Sequence, residues 1–161
     1  MRRYRLTDPY LQFWFRFIER HLEDISRSRG DIAVAAFDAG WTSWRGRAIE
    51  PHVNEALTRL GATHPELADV RQAGPCWNRD NSREVDIVAR TAESIATVGT
   101  IKWRPRGGIS RAEMAEVAGA RNDISHANGA RLLAVCSNGL APGASAGIVM
   151  RPEDLLAAWG A

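Results

Sequence analysis

The sequence predicts a mixed α/β domain preceded by an aromatic-rich N-terminal helix. Up to about residue 60, apolar residues recur at spacings of three and four, which is typical of helices. From residue 70 onward, β-branched and aromatic segments are separated by turn-forming residues, which is typical of strands. A second helical pattern and two short apolar segments follow. The predicted order is therefore a helix, a three-stranded antiparallel meander, a helix and further strands.

Composition and charge place the chain among globular proteins. It has 161 residues, of which 45% are hydrophobic and 25% charged, with a formal net charge of +2. No apolar run approaches the roughly 18 residues of a membrane span, and no signal-peptide pattern is present, so we predict a cytoplasmic protein without a membrane partner. Cys76 and Cys136 belong to no CxxC pair, which favours two free thiols over a zinc site or a disulfide.

The segment TDPYLQFWFRFIERHLEDI predicts the N-terminal helix, with Asp8 as its N-cap and Pro9 at its first position. One apolar stripe at helical spacing is predicted from Leu11, Trp14, Ile18, Leu22 and Ile25. Phe13, Phe15 and Phe17 lie off this stripe, so the helix is expected to make contacts on more than one side. Those contacts belong either to this domain or to a segment absent from the chain.

A longer helix is predicted over SWRGRAIEPHVNEALTRLG, from an N-cap at Ser43 to a stop at Gly61. Pro51 is expected to kink this helix because it lacks a backbone N–H and its ring crowds the preceding turn. The preceding segment IAVAAFDAGW is compatible with a short helix or with a loop. The break at SRSRGD divides the chain into an N-terminal helical linker segment, residues 1–30, and a domain, residues 31–161.

Three segments, VRQAGPCW, REVDIVAR and SIATVGTIKW, predict the antiparallel meander. In the second segment Glu84 and Asp86 fall on one face, because side chains alternate along a strand. In the third segment Thr100 and Lys102 share one parity. A turn at TAES makes the two segments antiparallel neighbours, so Asp86, Thr100 and Lys102 are predicted to share one face of the sheet.

The C-terminal third predicts one more helix and two short strands. SRAEMAEVAGARNDISHANG reads as a helix with Ser110 as its N-cap and with Met114, Val117, Ala118 and Arg121 at helical spacing. ARLLAVCSNG and SAGIVMRP are predicted as short buried strands, and PEDLLAAW as a terminal helical turn or short helix.

Lys102 is the single lysine of the chain, since arginine supplies the other 20 of its 21 basic residues. A lysine ammonium is a compact point charge, whereas a guanidinium is a wide planar fork. A position that needs a small cation would therefore reject arginine. The alternative is that Lys102 forms an ordinary cross-strand salt bridge with Asp86 on a solvated face, which would contribute little to stability.

A carboxylate on one strand and an acid-x-lysine on its antiparallel neighbour form the core of the restriction-endonuclease-like nucleases, the PD-(D/E)xK superfamily, and EVDIVA with GTIKW resembles this core. The resemblance implies catalytic roles for Asp86 and Lys102. Carboxylates hold a hard divalent cation such as Mg²⁺, and the lysine stabilises developing negative charge. A glutamate on the preceding helix often adds a metal ligand in this superfamily, which implies that role for Glu50.

The order of four segments makes the resemblance narrower. YRLTDPYLQFWFRF, WRGRAIEPHVNEAL, EVDIVA and GTIKW resemble the C-terminal domain of unknown function of archaeal-type AAA ATPases, over about residues 3–155. Those proteins carry a P-loop ATPase and a winged helix ahead of this domain, which implies such a region as a partner in the same or an associated polypeptide. The chain contains no GxxxxGK[ST] motif, so we predict no ATP site in it.

Thr100 departs from the family pattern, which usually reads G-E-C-K-W where this chain reads G-T-I-K-W. A threonine hydroxyl supplies no negative charge, so a metal would lose its second strand carboxylate. Glu84, on the same face as Asp86, is one candidate replacement ligand, and Glu113 or Glu116 on the following helix is another. We therefore predict a degenerate site that binds Mg²⁺ weakly.

The segment KWRPRGGISR predicts a nucleic-acid contact, because Arg104, Arg106 and Arg111 follow closely on Lys102. The alternative is a solvated arginine-rich loop. Trp103 has the core-facing parity of its strand and is expected to pack inside.

Three functions remain open at this point. The first is a nuclease-like domain of, or associated with, a AAA-type ATPase, which binds nucleic acid such as DNA or regulates the ATPase and cleaves weakly or not at all. The second is an active Mg²⁺-dependent DNA endonuclease that uses Glu50, Asp86 and Lys102. The third is a protein-interaction module, whose aromatic N-terminal helix docks on a winged helix or on a second copy of the chain.

Overall fold

The computed structural model of the chain describes Leu6, residues 8–77 and residues 84–160. The α-helices are α1 (Pro9–Phe13), α2 (Leu22–Ser26), α3 (Gly30–Leu60), α4 (Arg111–Asn122) and α5 (Pro152–Leu156). The strands are β1 (Gln72–Trp77), β2 (Glu84–Arg90), β3 (Ile95–Lys102), β4 (Arg131–Cys136) and β5 (Ile148–Met150). The predicted mixed α/β class and the predicted order of elements are confirmed.

Shorter helical segments complete the structure. A π-helical segment, Trp14–Ile18, follows α1, and 3-10 segments occupy Glu19–His21, Pro65–Leu67 and Ala157–Trp159. Among the residues described, none of the helices combines the length and hydropathy needed to cross a bilayer. Both cysteines are free thiols, as predicted.

Contacts divide the chain into two compact units, which we call the N-terminal unit, Met1–Ala48, and the C-terminal unit, Ile49–Ala161. The division falls within α3, close to Pro51. The boundary predicted from the sequence, between residues 30 and 31, rests on a local break in the helical pattern and stays a prediction.

The N-terminal helix begins as predicted. The Asp8 side chain accepts a hydrogen bond from the Leu11 N–H at 2.9 Å, and Pro9 takes the first helical position. The predicted stripe is wrong, because Leu11 and Leu22 are exposed while Phe17 is 2% exposed. The cause is the π-helical segment, whose wider turn rotates the residues after Phe13 away from the 3.6-residue period.

The aromatic residues of the N-terminal unit pack against each other. Five rings form this cluster, with centroid separations from 5.0 to 6.0 Å: Phe13, Phe17, Phe37, Trp41 and Trp44. Gly40 lies beside it, where an added Cβ would meet a Phe17 ring carbon at 2.8 Å. The contacts expected for the aromatic N-terminal helix are therefore made within the unit, and edge-to-face pairs of this kind add to the stabilisation from burial.

Helix α3 is longer than predicted. It runs without interruption through IAVAAFDAGW, so this segment is helical and Ser43 is an interior residue rather than an N-cap. The prediction was wrong because the residue type alone does not distinguish an N-cap serine from a serine inside a helix. In the structure the Ser43 hydroxyl accepts a hydrogen bond from the Arg47 guanidinium at 3.2 Å. The helix ends before Gly61, as predicted. An added Cβ at Gly61 would lie 2.0 Å from the Val70 carbonyl oxygen, so only glycine permits this approach.

In the C-terminal unit the sheet has the order β1-β2-β3-β4-β5. The first three strands form the predicted antiparallel meander, and β4 and β5 are added in parallel to β3. Helix α4 connects β3 to β4, as a parallel pair requires a crossover. Pro75 lies at an irregularity of β1, where an edge strand tolerates a missing N–H.

Both faces of the sheet are covered. On one face, the second half of α3 packs Val53 and Leu57 against a core that includes Ile87 and Leu133. Trp103 packs against this core, as predicted. The other face forms a second core with α4, centred on Val88, Val98 and Val117. The carboxylates predicted on this second face therefore lie at its open end, beyond the buried Val88.

Candidate functional site

The candidate site lies where β2 and β3 separate. Their antiparallel ladder ends at Ile87 and Gly99. Beyond that point β2 continues to Glu84 beside β1, while β3 continues to Lys102 beside β4. The sheet consequently opens between Asp86 and Thr100, and polar side chains occupy the opening. Strand irregularities of this kind often re-aim side chains next to functional sites.

Asp86 is held in this opening by two donors from β3. Its Oδ2 accepts a hydrogen bond from the Thr100 hydroxyl at 2.8 Å and another from the Ile101 backbone N–H at 2.9 Å. The carboxylate thus satisfies a backbone donor at the point where the β2–β3 ladder has ended. Hydrogen bonds to a charged acceptor are stronger than neutral ones. Thr100 therefore serves Asp86 as a hydrogen-bond donor.

A cleft of about 780 Å³ lies in front of these residues, between the two strands and α4. The ionisable residues of its described lining are Glu84, Asp86, Lys102, Glu113 and Glu116. Among these described residues, four carboxyl groups and one ammonium give an excess of negative charge. We call it the carboxylate cleft. Electrostatics of this sign attract a cation and oppose the entry of a polyanion.

Lys102 lines the carboxylate cleft on the same side as Asp86 and Thr100, and its side chain is half-buried. Within the described part of the chain, no ion pair joins Lys102 to Asp86, so the alternative of a cross-strand salt bridge has no support in the structure. The chain brings Glu84 to the same cleft, two residues from Asp86 along β2. The roles predicted for these residues stay predictions.

Glu50 is placed differently. It lies in α3 and is not among the described residues that line the carboxylate cleft. Its backbone carbonyl accepts from the Asn54 amide at 3.0 Å, and the same amide lies 3.5 Å from the Asp86 carbonyl oxygen. Asn54, 7% exposed, was missed by the sequence analysis because an asparagine in a helix gives no signal of the strand beside it.

The donor set does not fit a magnesium site of the kind that the nuclease resemblance implies. Within the ranges described, no group of three or more His, Cys, Asp or Glu residues is arranged to hold a metal ion. One oxygen of Asp86 is already bound by Thr100 and Ile101, and Thr100 itself is neutral. A hard cation prefers several negatively charged oxygen ligands. Among the described strand residues, the carboxylates that line the cleft are Asp86 and Glu84, both on β2.

Glu113 and Arg104 form an ion pair beside the cleft. Glu113 also accepts from the N–H and the hydroxyl of Ser110, both at 2.9 Å, and completes a capping box at the start of α4. Burial raises the pKa of Glu113, but hydrogen bonds from Arg104 and Ser110 lower it by more, so the pKa falls from 4.5 to about 2. Glu113, a predicted replacement ligand, and Arg104, a predicted phosphate contact, are thus engaged with each other.

The loop that carries the predicted arginines is fixed to the loop after β4. The Arg104 carbonyl accepts from the Ser137 hydroxyl and the Asn138 amide, both at 2.7 Å. Ile109 exchanges backbone hydrogen bonds with the same loop. Arg106 and Arg111 are exposed and form no ion pair with another described residue. They remain accessible for an anionic partner.

Comparison with known proteins gives one match. A family model described as archaeal and bacterial proteins of unknown function matches residues 14–117, which is more than half of the chain. The match includes Asp86, Thr100 and Lys102. No curated protein and no solved structure matches the chain.

Proposed function

The chain belongs to this family of archaeal and bacterial proteins of unknown function, and we propose that its C-terminal unit is a nuclease-like domain that binds nucleic acid without cleaving it. One observation carries the proposal: the Thr100 hydroxyl donates to Asp86 at 2.8 Å. This hydrogen-bond donor occupies the carboxylate that a nuclease would present to a metal ion. The proposed site therefore has Asp86 and Lys102 in place but lacks the second carboxylate that would help to hold the metal ion for catalysis.

The proposed restriction-endonuclease-like core is supported by the arrangement of elements. Helix α3 precedes three antiparallel strands, α4 follows, and β4 pairs in parallel with β3. The acid of β2 and the lysine of β3 line one cleft, in the order that the PD-(D/E)xK pattern requires. The same resemblance supports our proposal that the partner is a P-loop ATPase with a winged helix, in the same or an associated polypeptide.

The proposed nucleic-acid contact is outside the carboxylate cleft. The part of its lining that the structure describes has four carboxyl groups against one lysine, so phosphates are expected to avoid it in the absence of a cation. Arg106 and Arg111 are exposed, in the loop before α4 and at its first residue. We assign the DNA backbone to these two arginines, and Arg104 to the structural ion pair with Glu113.

The test of the degenerate site is the substitution Thr100→Glu. The new carboxylate would lie beside Asp86 and restore a second negatively charged oxygen ligand, so affinity for Mg²⁺ or Mn²⁺ is expected to rise by about tenfold or more. Calorimetric titration of wild type and variant with each metal measures this change. We expect weak binding by the wild type.

Thr100→Gln is the matched control, because glutamine has nearly the same size as glutamate but no charge. Circular dichroism and a urea midpoint establish that each variant is folded. Equal metal affinity in all three folded proteins would show that Thr100 is not at a metal position. An increase in Thr100→Gln equal to that in Thr100→Glu would assign the effect to size rather than charge.

A second candidate function is Mg²⁺-dependent cleavage. Glu84 and Glu116 line the cleft with Asp86, but the described residues form no group arranged to hold a metal ion, so cleavage would require these carboxylates to converge on the cation. A plasmid-nicking assay separates the candidates. Nicking by the wild type that Asp86→Ala abolishes would establish the active nuclease, and nicking that survives Asp86→Ala would exclude Asp86 from the chemistry. We expect no nicking above the background of a mock preparation.

A further inference from the structure

We propose that the N-terminal unit contains a second binding site, which takes the phosphate and base of nucleotide units in a single nucleic-acid strand. This site is a cleft of about 500 Å³ formed by the N-terminal helical segments and the first half of α3. We call it the arginine cleft. It is formed by residues of the N-terminal unit alone, so it does not depend on the function proposed for the carboxylate cleft.

The lining of the arginine cleft is strongly basic. Arg16, Arg20 and Arg47 line it, and no acidic side chain of the described residues does. The chain as a whole carries 21 basic and 19 acidic side chains, so the described lining of this cleft is more basic than the chain as a whole.

The fold keeps the arginines at this cleft. Arg16 and Arg20 are four residues apart in the helical segment that follows α1, and both are exposed. The Arg16 guanidinium carbon lies 6.0 Å from the centroid of the buried Phe17 ring. Arg47 is on α3, where its guanidinium donates to the Ser43 hydroxyl at 3.2 Å. Guanidinium groups suit phosphate because their planar fork presents two N–H donors to two oxygens.

Aromatic rings beside the arginines identify the class of ligand. Phe15 lines the cleft and is 47% exposed, and Trp44 lines it from the aromatic cluster. An exposed ring next to cationic groups is the arrangement that stacks a base while the arginines hold the backbone. A carboxylate ligand would use the arginines but would leave the ring without a partner. The volume falls within the usual range for small-molecule sites and suits a nucleotide unit.

The test is binding of fluorescein-labelled oligothymidylate of about 15 nucleotides, measured by fluorescence anisotropy at several salt concentrations with the full chain. Arg16→Gln/Arg20→Gln is expected to weaken binding by about tenfold at low salt. The slope of log affinity against log salt should fall by about 1.4, because two phosphate contacts to a single strand are lost.

Arg27→Gln/Arg29→Gln is the matched control in the same unit. It removes the same charge from two exposed arginines that pair with Glu23 and Asp31, outside the arginine cleft. Near wild-type affinity of this control, with the loss in Arg16→Gln/Arg20→Gln, supports the site. An equal loss in both double variants would overturn it, because net charge would then explain the effect.

Two further measurements test the ring and the size of the ligand. Phe15→Leu, an exposed change that spares the charges, is expected to weaken binding by about fivefold without changing the salt slope. This arm also decides the question if Arg16→Gln/Arg20→Gln fails to fold. Displacement of the oligonucleotide by thymidine monophosphate would assign the site to a mononucleotide, and its absence would assign it to a strand; both retain phosphate and base as the recognised chemistry.

Two results would overturn the inference. Poly-glutamate that competes as well as unlabelled oligothymidylate would show a general polyanion surface without base stacking. Oligothymidylate binding that is lost in Arg106→Gln/Arg111→Gln but retained in Arg16→Gln/Arg20→Gln would place all binding on the C-terminal unit. That second result would overturn only the arginine cleft and would leave the proposed function intact. Conversely, if Arg106→Gln/Arg111→Gln did not affect duplex binding, the proposed function would be overturned and the arginine-cleft proposal would stand.

Discussion

At the scale of single residues, the carboxylate cleft is marked by the hydrogen bond from the Thr100 hydroxyl to Asp86. A hydroxyl and a carboxylate at this position have opposite effects on Asp86, because the hydroxyl donates a proton toward it while a second carboxylate would repel it unless a cation intervened. The hydrogen bond from the Thr100 hydroxyl at 2.8 Å and that from the Ile101 N–H at 2.9 Å both go to Oδ2 of Asp86. Lys102, the single lysine of the chain, lines the same cleft.

Glu113 is a charged residue of the cleft that has a structural role. It closes the capping box of α4 and pairs with Arg104, and these contacts lower its pKa from 4.5 to about 2, against the opposing effect of burial. A carboxylate with a depressed pKa favours the folded state above its unfolded pKa, and this contribution is lost as the pH falls toward about 2.

We predict that Glu113→Gln lowers the free energy of unfolding by on the order of 2 kcal/mol at pH 7. The difference from wild type should shrink as the pH falls from about 5 toward 2, because the wild type then loses the same contribution by protonation. Urea unfolding followed by tryptophan fluorescence between pH 3 and pH 7 measures it. Glu116→Gln, an exposed change on the same helix, is the control. Parallel stability curves for Glu113→Gln and wild type would contradict the prediction.

Separation of β2 from β3 creates the site at the scale of elements. Each strand keeps its other neighbour at this end of the sheet, β1 for β2 and β4 for β3, so the opening leaves few backbone groups unpaired. The tight join between β3 and β4 depends on Gly99. An added Cβ there would lie 2.5 Å from the Leu133 carbonyl oxygen of β4.

We predict that Gly99→Ala destabilises the protein by about 3 kcal/mol, because the clash is with backbone of a central strand and cannot be relieved by rotating a side chain. Gly119→Ala is the control: no atom lies within 4 Å of an added Cβ there, and alanine stabilises a helix interior by about 1 kcal/mol relative to glycine. Denaturant midpoints of both variants test the pair. A Gly99→Ala midpoint equal to that of wild type would show that β4 moves away easily.

The local sequence predicted where helices begin and end more reliably than it predicted which of their faces are buried. Three helix ends could be predicted from the sequence: the start at Asp8 and Pro9, the capping box at Ser110 and the stop at Gly61. A cap can be predicted in this way because it is a short-range arrangement of a side chain and the nearby backbone. The stripe of the N-terminal helix was not, because one π-helical turn changes the period without changing the residue types. The N-cap assigned to Ser43 failed for the related reason that a helix interior also tolerates serine.

Charge is distributed unevenly at the scale of the whole molecule. The formal net charge is only +2, yet the carboxylate cleft carries four acids and one lysine, and the arginine cleft carries three arginines and no acid among its described residues. A near-neutral total thus conceals sites of opposite sign. Polyanions are expected to bind at arginines outside the carboxylate cleft, and binding should be sensitive to salt.

We predict that labelled duplex DNA binds with an affinity that falls steeply as salt rises and differs little between Mg²⁺ and EDTA at constant ionic strength. Arg106→Gln/Arg111→Gln should reduce the salt slope by about 2, one for each lost phosphate contact. Anisotropy titrations measure both quantities. Arg71→Gln/Arg90→Gln removes two exposed arginines at the opposite end of β2 and serves as the control. Absence of any binding at low salt would favour the protein-interaction alternative.

The sequence by itself determined the fold class, the order of the elements and the residues worth testing. Alternation along a strand is a local property, so the shared parity of Glu84 with Asp86, and of Thr100 with Lys102, followed directly from the spacing. The single lysine and the threonine at position 100 were equally visible, because residue type and position are read directly from the sequence. The arginine cleft was not, because its arginines come from segments almost 30 residues apart.

Only the tertiary structure decided what each charged residue contacts. In the carboxylate cleft, the Thr100 hydroxyl donates to Asp86, and Arg104 pairs with Glu113. Glu50 is not among the described residues that line this cleft. In the arginine cleft, Arg16 and Arg20 lie with Arg47. The physical reason is that partners of a side chain are chosen by distance in space, which depends on where strands part and how helices cross the sheet. The type of each side chain determines which interactions it can form, and the packing of the elements determines which of those interactions it does form.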